Sequence, residues 1–346
     1  VVAVASRNGV DVLTNDVSNR QTPSAVYFAG DHRLIGENSV GHAGRNPRNL
    51  VNQVKRLLGG DDDDDNNAAR DGCDRRPLVP LGKQNDQRQR SPLAEGDEAK
   101  GGTNDDVIRP SATFSPPTAI SEPCFFWETR RGENSFGGIE LTTIVRHMGE
   151  ELRLTAREVV AYLLQHCSDM VTKAAGGDEI AATSCVVASV PSHFSMRQRR
   201  AVMDAARIAG VPMPRVIDEG TAVALAYGVL KGGLPPEGCG RPLVVVFVDV
   251  GHSWRGKVTV ASFTASGMKV VGRGCARGCG TAAVEASVFD RSFCLPVSVG
   301  QGIAVKGRPR AEFRLAEAVT AAMKTLSANT EARLGVECID GDKDVT

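Results

Sequence analysis

Residues 244–254 read VVVFVDVGHSW, and this stretch decides the fold. A run of apolar β-forming residues ends at Asp249 and enters a turn at Gly251, which predicts a buried strand that delivers a carboxylate into a glycine turn. Such a turn can present the carboxylate and backbone N–H groups to a phosphate and its metal. Taken alone, the stretch is compatible with a working nucleotide site, a decayed one or a simple hairpin.

The N-terminal residues 1–30 have the pattern of an antiparallel meander. Two β-rich runs flank Asn8-Gly9, a dipeptide typical of tight hairpins, and a third run follows Thr22-Pro23. By contrast, residues 59–123 begin with a run of aspartates and continue without apolar periodicity. Such a segment cannot bury enough apolar surface to offset its chain entropy, so we predict a disordered insertion.

Two capping boxes, each an N-cap Ser or Thr followed three residues later by Glu or Gln, predict the starts of two helices. The first helix runs from Thr155 to about Gly176 and the second from Ser195 to Gly210. Hairpins joined to helices occur twice along the chain, which predicts a duplicated α/β architecture with a cleft between two lobes. The other predicted elements are strands at 184–191, 216–218, 243–249, 258–264 and 268–273 and helices at 219–231 and 310–327.

Composition narrows the class of partner and compartment. Lys and Arg together number 41 and so do Asp and Glu, and this balance argues against nucleic acid or a membrane as the main partner. The nine cysteines, an odd number, favour free thiols in a reducing, cytoplasmic compartment. Because the chain opens on Val1, inside a strand-like run, we interpret it as a fragment of a longer protein.

Five stretches follow one another in the chain: DVLTNDVSNRQTPSAVYF (11–28), NQVKRLLG (52–59), VVASVPSHFSMRQRRAVMDAARIAG (186–210) with IDEGTAVALAYGVLK (217–231), VVFVDVGHS (245–253) and MKTLSANTEARLGVECIDGDKDV (323–345). Together they resemble the nucleotide-binding domain of the 70-kDa heat-shock protein superfamily. The Asp-Val-Gly-His-Ser loop is more similar to the large, 110-kDa branch than to the ordinary chaperones, which have a Gly-Gly-Gly-Thr phosphate loop.

The resemblance implies an α/β fold of the actin-like ATPase (ribonuclease H-like) class, in which two lobes close over ATP or ADP and Mg²⁺. Lobe I would comprise residues 1–58 and 124–240, and lobe II residues 241–346. Compared with the family, the domain would be incomplete at both ends.

The resemblance also implies roles for single residues. Lys55 would reach the phosphates, Glu219 would link the lobes near the metal, and Asp249 would face a metal-bound water rather than bind Mg²⁺ directly. A lysine is a suitable point charge for phosphate, and a carboxylate at a strand end can orient an attacking water.

The remaining implied residues bind the nucleotide or transmit its state. Gly251, His252 and Ser253 would wrap the phosphates, and Lys324 and Ser327 would form part of the adenosine pocket. The pair expected to couple nucleotide state to a docked partner domain consists of Pro191 and Arg199.

The implied function is that of an ATP-binding chaperone that acts as a nucleotide-exchange partner of 70-kDa heat-shock chaperones. Unfolded clients would bind through domains outside this chain, and the chain alone would hydrolyse little or no ATP. An ATP-hydrolysing chaperone of the ordinary branch, and an actin-like filament protein or sugar kinase, remain as alternatives, because fold alone does not define function.

Overall fold

The structure is a computed structural model of the whole chain. It describes residues 1–6, 9–58, 128–133, 139–176, 186–212, 215–238, 241–252, 255–294, 305, 307–340 and 343–345. The mixed α/β class predicted from the sequence is confirmed. The predicted insertion at 59–123 lies outside the described residues, so its disorder stays a prediction.

The N-terminal part contains two separate small sheets. Strands β1 (Ala3–Ser6) and β2 (Gly9–Val12) form the predicted antiparallel hairpin. Strand β3 (Val26–Phe28) lies between β4 (Arg33–Ile35) and β5 (Leu50–Val51) in a second antiparallel sheet. Two short helices complete this part, α1 (Glu37–Ala43) and α2 (Val54–Leu57).

The prediction of one meander over residues 1–30 is therefore wrong, because β3 does not pair with β2. The reason is burial. All four residues of β2 are exposed, whereas β3 is buried along its length and contributes Val26 and Phe28 to a core with Val159. The apolar side chains of β3 gain more from that core than from pairing with an exposed hairpin.

A third antiparallel sheet follows, which the sequence did not reveal. It consists of β6 (Glu128–Glu133), β7 (Ile139–His147) and β8 (Glu150–Thr155). Helix α3 (Ala156–Ala174) begins directly after β8 at the predicted capping box, in which the backbone N–H of Thr155 donates to Glu158 Oε2 at 2.7 Å.

Two parallel strands flank the second predicted helix. Strand β9 (Val187–Val190) pairs with β10 (Arg215–Asp218), and α4 (Met196–Ile208) lies between them in the chain. The capping box of α4 is confirmed, with the Ser195 N–H donating to Gln198 Oε1 at 2.7 Å. Because the strands are parallel, both end at the same edge of their sheet, where parallel α/β proteins usually place ligands.

The opening stretch VVVFVDV forms β11 (Leu243–Asp249), the first strand of a meander with β12 (Arg255–Thr264) and β13 (Gly267–Arg277). Helix α5 (Glu219–Leu230) packs on one face of this sheet, where Tyr227 contacts the rings of Phe247 and Phe263. The other face of β11 is open, so the prediction of a fully buried strand is wrong: alternate residues are 55, 57 and 68 % exposed at Val244, Val246 and Val248.

The C-terminal part pairs two helices. Helix α6 (Thr281–Cys294), which was not predicted, packs on α7 (Pro309–Leu326), which was predicted. A two-stranded sheet of β14 (Val336–Asp340) and β15 (Lys343–Val345) lies beside α7. Among the described residues, no helix is long and apolar enough to cross a membrane.

Candidate functional site

The three residues predicted to act in catalysis are brought together in one chain of ion pairs. Lys55 Nζ lies 2.5 Å from Glu219 Oε1. The other carboxylate oxygen of Glu219 lies 2.5 Å from the Nζ atom of Lys257, which in turn lies 2.8 Å from Asp249 Oδ2. The predicted grouping of Lys55, Glu219 and Asp249 thus exists in the structure, but Lys257 joins its members.

Local structure explains how these side chains meet. Asp249 at the end of β11 is directly opposite Lys257 in the antiparallel register. Glu219 is the first residue of α5, and the helix start lies against β12 because Gly220 has no side chain. A Cβ at Gly220 would lie 2.0 Å from Thr259 Oγ1, so only glycine allows this approach.

Lys257 was missed by sequence reasoning, although the sequence carries a signal for it. Strand β12 alternates, and its inward positions Thr259, Ala261 and Phe263 are buried. Period two places Lys257 on the same inward face, where a lysine needs a carboxylate partner. The charged residue at an inward strand position therefore marks the site.

The electrostatics keep all three central groups charged. Burial would raise the pKa of Glu219, but hydrogen bonds from Lys257 and Lys55 outweigh it and lower the pKa. The hydrogen bond from Lys257 is the largest influence on Asp249 and lowers its pKa. Burial pulls the pKa of Lys257 down, yet its hydrogen bonds to both carboxylates raise it above the ordinary lysine value.

The predicted phosphate loop is hydrogen-bonded to Asp249 at the end of β11 and to Thr281 at the start of α6. The N–H of Gly251 donates to Asp249 Oδ1 at 3.0 Å, and the carbonyl of Gly251 accepts from the N–H of Thr281 at 3.3 Å. His252 Nδ1 lies 3.4 Å from Thr281 Oγ1 and 3.7 Å from Glu285 Oε2. Ser253, the third predicted loop residue, lies outside the described residues.

A cavity of about 410 Å³ adjoins this loop. His252 and Lys324 line it, together with Asn52 and Gln53 from the segment that precedes α2. The structure thus brings together two of the predicted nucleotide-binding residues. Ser327 does not line this cavity; it lies at the end of α7, where its hydroxyl donates to the carbonyl of Lys324 at 2.6 Å.

Pro191 and Arg199, the predicted coupling pair, lie next to the ion-pair chain. Pro191 is buried at the end of β9, and the guanidinium of Arg199 donates to the carbonyls of Phe194 at 3.0 Å and Ser192 at 3.5 Å. Arg199 also forms an ion pair with Asp218, the residue before Glu219.

Asp218 is a second residue that sequence reasoning missed. Its side chain is only 9 % exposed and also pairs with Arg273 Nη2 at 2.8 Å. An arginine from α4 and one from β13 therefore meet on a single buried carboxylate at the start of α5. This contact connects the loop after β9 to the sheet of β11, β12 and β13, here called the central sheet, one residue away from Glu219.

His193 is a third missed residue, and it lies in the same loop. Its Nδ1 atom is buried without a hydrogen-bond partner. Burial is the main reason that its pKa is lowered to about 4, and the positive charges of Arg255 and Lys257 add to the effect. The imidazole is therefore neutral at physiological pH.

The described residues do not fit a magnesium ion held by the protein at Asp249. A carboxylate that binds Mg²⁺ or its water needs an oxygen that is not already engaged. Lys257 engages one oxygen of Asp249 and one of Glu219, and the second oxygens accept from the Gly251 N–H and from Lys55, respectively. Within the described part of the chain, no group of three or more His, Cys, Asp or Glu is placed to hold a metal.

A mixed α/β fold with lysines and carboxylates beside a loop and a cavity is compatible with a site for a small charged ligand, such as a nucleotide. Comparison with known proteins agrees. The family described as Hsp70 protein matches residues 1–72 and 137–346, so the chain belongs to the Hsp70 family. This result confirms both the predicted superfamily and the actin-like fold class.

The relatives carry heat-shock names. The chain is 31 % identical to heat shock 70 kDa protein 16 of Arabidopsis thaliana, with all of this chain and 37 % of the relative aligned. It is 28 % identical to a heat shock protein homolog of Saccharomyces cerevisiae and 30 % identical to heat shock protein hsp88 of Neurospora crassa, over 100 % of this chain and 41 and 40 % of those relatives. These are large heat-shock proteins, as the phosphate loop predicted, and the chain spans about two fifths of their length.

Proposed function

We propose that the chain binds ATP or ADP at the Lys55–Glu219–Lys257–Asp249 network and uses the bound nucleotide to control conformation. The observation that carries the proposal is the position of Lys55. Its side chain is 60 % exposed and reaches the network through a single carboxylate oxygen of Glu219. A flexible, exposed lysine beside a loop and a cavity can exchange that carboxylate for a phosphate.

The same geometry supports weak hydrolysis. Attack of water on a γ-phosphate needs a group that orients the water and N–H donors that stabilise the developing charge. Here Lys257 and the N–H of Gly251 both engage the carboxylate of Asp249. Asp249 is therefore not free to orient a water, and the N–H of Gly251 is not free to stabilise the developing charge. For this reason we propose little or no ATP turnover by this chain.

The Arg199–Asp218–Arg273 contact supports the role in conformational control. Asp218 and Glu219 are adjacent, so a shift of Glu219 on nucleotide binding moves the start of α5 and the carboxylate that both arginines share. Through Arg199 the shift reaches the loop at Pro191. A buried carboxylate with two arginine partners favours discrete arrangements over gradual deformation.

For the whole protein we propose a cytoplasmic chaperone of the large heat-shock type. It would assist folding of unfolded clients through domains outside this chain and promote nucleotide exchange on 70-kDa chaperones. The heat-shock names of the relatives and the geometry of the candidate site support this proposal. Four described cysteines, at 167, 275, 279 and 338, are free thiols, in keeping with a reducing compartment.

Thermal melts with and without nucleotide test the binding proposal. Nucleotide at 100 times its Kd should stabilise the wild-type chain by about 2.7 kcal/mol, which raises Tm by several degrees. Lys55→Ala should lose most of this shift because it removes the phosphate partner. Lys173→Ala is the matched control, since Lys173 is 79 % exposed and pairs with Asp16 far along the chain from the network.

Two outcomes would contradict the proposal. A wild-type Tm that does not move with ATP or ADP would exclude binding. ATP turnover by the purified chain that disappears in Asp249→Asn would instead support the alternative of an ATP-hydrolysing chaperone of the ordinary branch.

For the exchange activity, the measurement is release of labelled ADP from a 70-kDa chaperone with and without the intact protein.

A further inference from the structure

The side chain of Lys257 occupies the space between the two carboxylates of the site. Its Nζ lies 2.5 Å from Glu219 and 2.8 Å from Asp249, and the side chain is 10 % exposed. In phosphate-binding sites, carboxylates at the ends of strands and helices usually hold a divalent metal or its water. In this chain a covalently attached ammonium group fills that place.

The charges of the network leave no attraction for a further cation. Glu219 and Asp249 contribute two negative charges, and Lys55 and Lys257 contribute two positive charges, so the four groups are balanced. His193 does not change this balance, because its imidazole has a pKa of about 4 and is uncharged at neutral pH. A divalent ion at this point would face two lysines rather than a pair of unshielded carboxylates.

Lys257 cannot readily give way to a metal. It sits at an inward position of β12, in register with Asp249, and its neighbours on that face are buried. A metal that took both carboxylates would leave the ammonium group buried without a partner, which is strongly unfavourable. The lysine is therefore part of the folded framework and not an exchangeable counter-ion.

We propose that Lys257 is the built-in cation of this site and replaces the divalent metal at Asp249 and Glu219. The first consequence is independent of nucleotide: the wild-type chain has no divalent-metal site there, and removal of the lysine creates one. The second consequence rests on the proposed nucleotide binding. Lys257 keeps the two carboxylates neutralised while the exposed Lys55 meets the phosphates, so nucleotide affinity depends little on divalent metal.

The first consequence is tested with Mn²⁺ alone, followed by electron paramagnetic resonance. We expect no site-specific Mn²⁺ binding to the wild type. Lys257→Gln should bind one ion, at least about ten-fold more tightly than any residual Mn²⁺ binding by the wild type. The ion should be lost again in Lys257→Gln/Asp249→Asn. Lys269→Gln, which removes an exposed lysine from the neighbouring strand β13, is the matched control and should behave as the wild type.

The second consequence is tested with a fluorescent ADP in Mg²⁺ and in EDTA. The wild-type Kd should change less than about three-fold between the two buffers, and that of Lys257→Gln should weaken more than about ten-fold in EDTA. A wild-type chain that binds no nucleotide in either buffer would refute the proposed function, while the Mn²⁺ titration would still judge the role of Lys257.

Folding of the variant is checked by circular dichroism and by a melt in Mn²⁺, which should raise the Tm of Lys257→Gln and not that of the wild type. If Lys257→Gln does not fold, Lys257→Met retains the aliphatic stem and takes its place. The proposal is overturned if the wild type binds Mn²⁺ and loses it in Asp249→Asn, or if EDTA weakens wild-type nucleotide binding more than about ten-fold. The wild-type measurements decide even where both lysine variants fail.

Discussion

The pKa of His193 depends on its burial and on the charged groups of the site. The loop after β9 buries its imidazole among the positive groups Arg255, Lys257 and Lys55, with Glu219 as the opposing negative charge. Because protonation would add a further positive charge in a buried position, the neutral form is favoured down to a pKa of about 4. The unfolded chain has no such environment and takes up a proton at the ordinary value of 6.5.

This difference predicts a loss of stability in acid. Between pH 6.5 and 4 the unfolded chain binds a proton that the folded chain excludes, so the free energy of unfolding falls as the pH falls. After allowance for partial exposure, the loss due to His193 is about 1–2 kcal/mol. His193→Gln should remove that part of the decline, measured as Tm against pH for both proteins.

The comparison needs a control because carboxylates also titrate in acid. The pKa values of Glu219 and Asp249 are lowered, so their contribution persists to lower pH than that of an ordinary carboxylate and is shared by both proteins. Above pH 6.5 the difference in Tm between wild type and His193→Gln should be constant. Parallel curves down to pH 4 would show that His193 is protonated normally in the folded chain.

Single residues could be predicted from the sequence where they lie in a recognisable motif. Residues whose role depends on a tertiary contact could not. Lys55, Glu219 and Asp249 were found because each lies in a stretch that resembles the family. Lys257 and Asp218 instead pair with residues that are distant in the chain. Lys257 pairs with Glu219, and Asp218 pairs with Arg273. The alternation of β12 marks Lys257 as a charge at an inward position, but the partners of both residues emerge only once register and burial are known.

Among the secondary-structure elements, α4 connects local sequence to the proposed coupling contact. Its capping box at Ser195 fixes the first turn, and Arg199 projects from the next turn onto Asp218. The hydroxyl of Ser195 accepts from the N–H of Gln198 at 3.3 Å. The cap therefore stabilises the helix and also sets the position of Arg199.

Replacement of Ser195 should destabilise helix α4 and should also loosen the position of Arg199. Ser195→Ala removes the acceptor for an otherwise unpaired helix N–H and should cost about 1 kcal/mol of unfolding free energy. Ser195→Asp keeps an N-cap acceptor and should restore most of it. Chemical denaturation of the three proteins measures the effect, and equal stability of wild type and Ser195→Ala would show that the capping box contributes nothing.

Elements were predictable where local signals suffice. Both capping boxes and the three strands β11, β12 and β13 follow from local signals: N-cap pairs mark the helix starts, and short runs of β-forming residues mark the strands. The sheet of β6, β7 and β8 was missed because its strands are rich in charged residues, as in ETRRGE at 128–133. Its order comes from pairing between strands and from packing against α3, which are tertiary effects.

For the molecule as a whole, the open face of the central sheet is the main departure from a closed core. Val244, Val246 and Val248 are each more than half exposed, on a strand that is also an edge of the described sheet. The opposite face, with Val245 and Phe247, packs on α5 and Phe263. An exposed apolar edge strand is a site where chains pair with one another.

We therefore predict that the chain self-associates through β11 and that Val246→Thr reduces this association. Threonine keeps the β-branched shape that suits a strand, so Tm should change little while the aggregated fraction falls. Val245→Thr is the matched control, because the same chemical change on the packed face should lower Tm instead. Light scattering on heating, with Tm from circular dichroism, separates the two effects. If both variants aggregate as the wild type does, association proceeds through another surface, and the exposure of β11 has no consequence for how the chain behaves in solution.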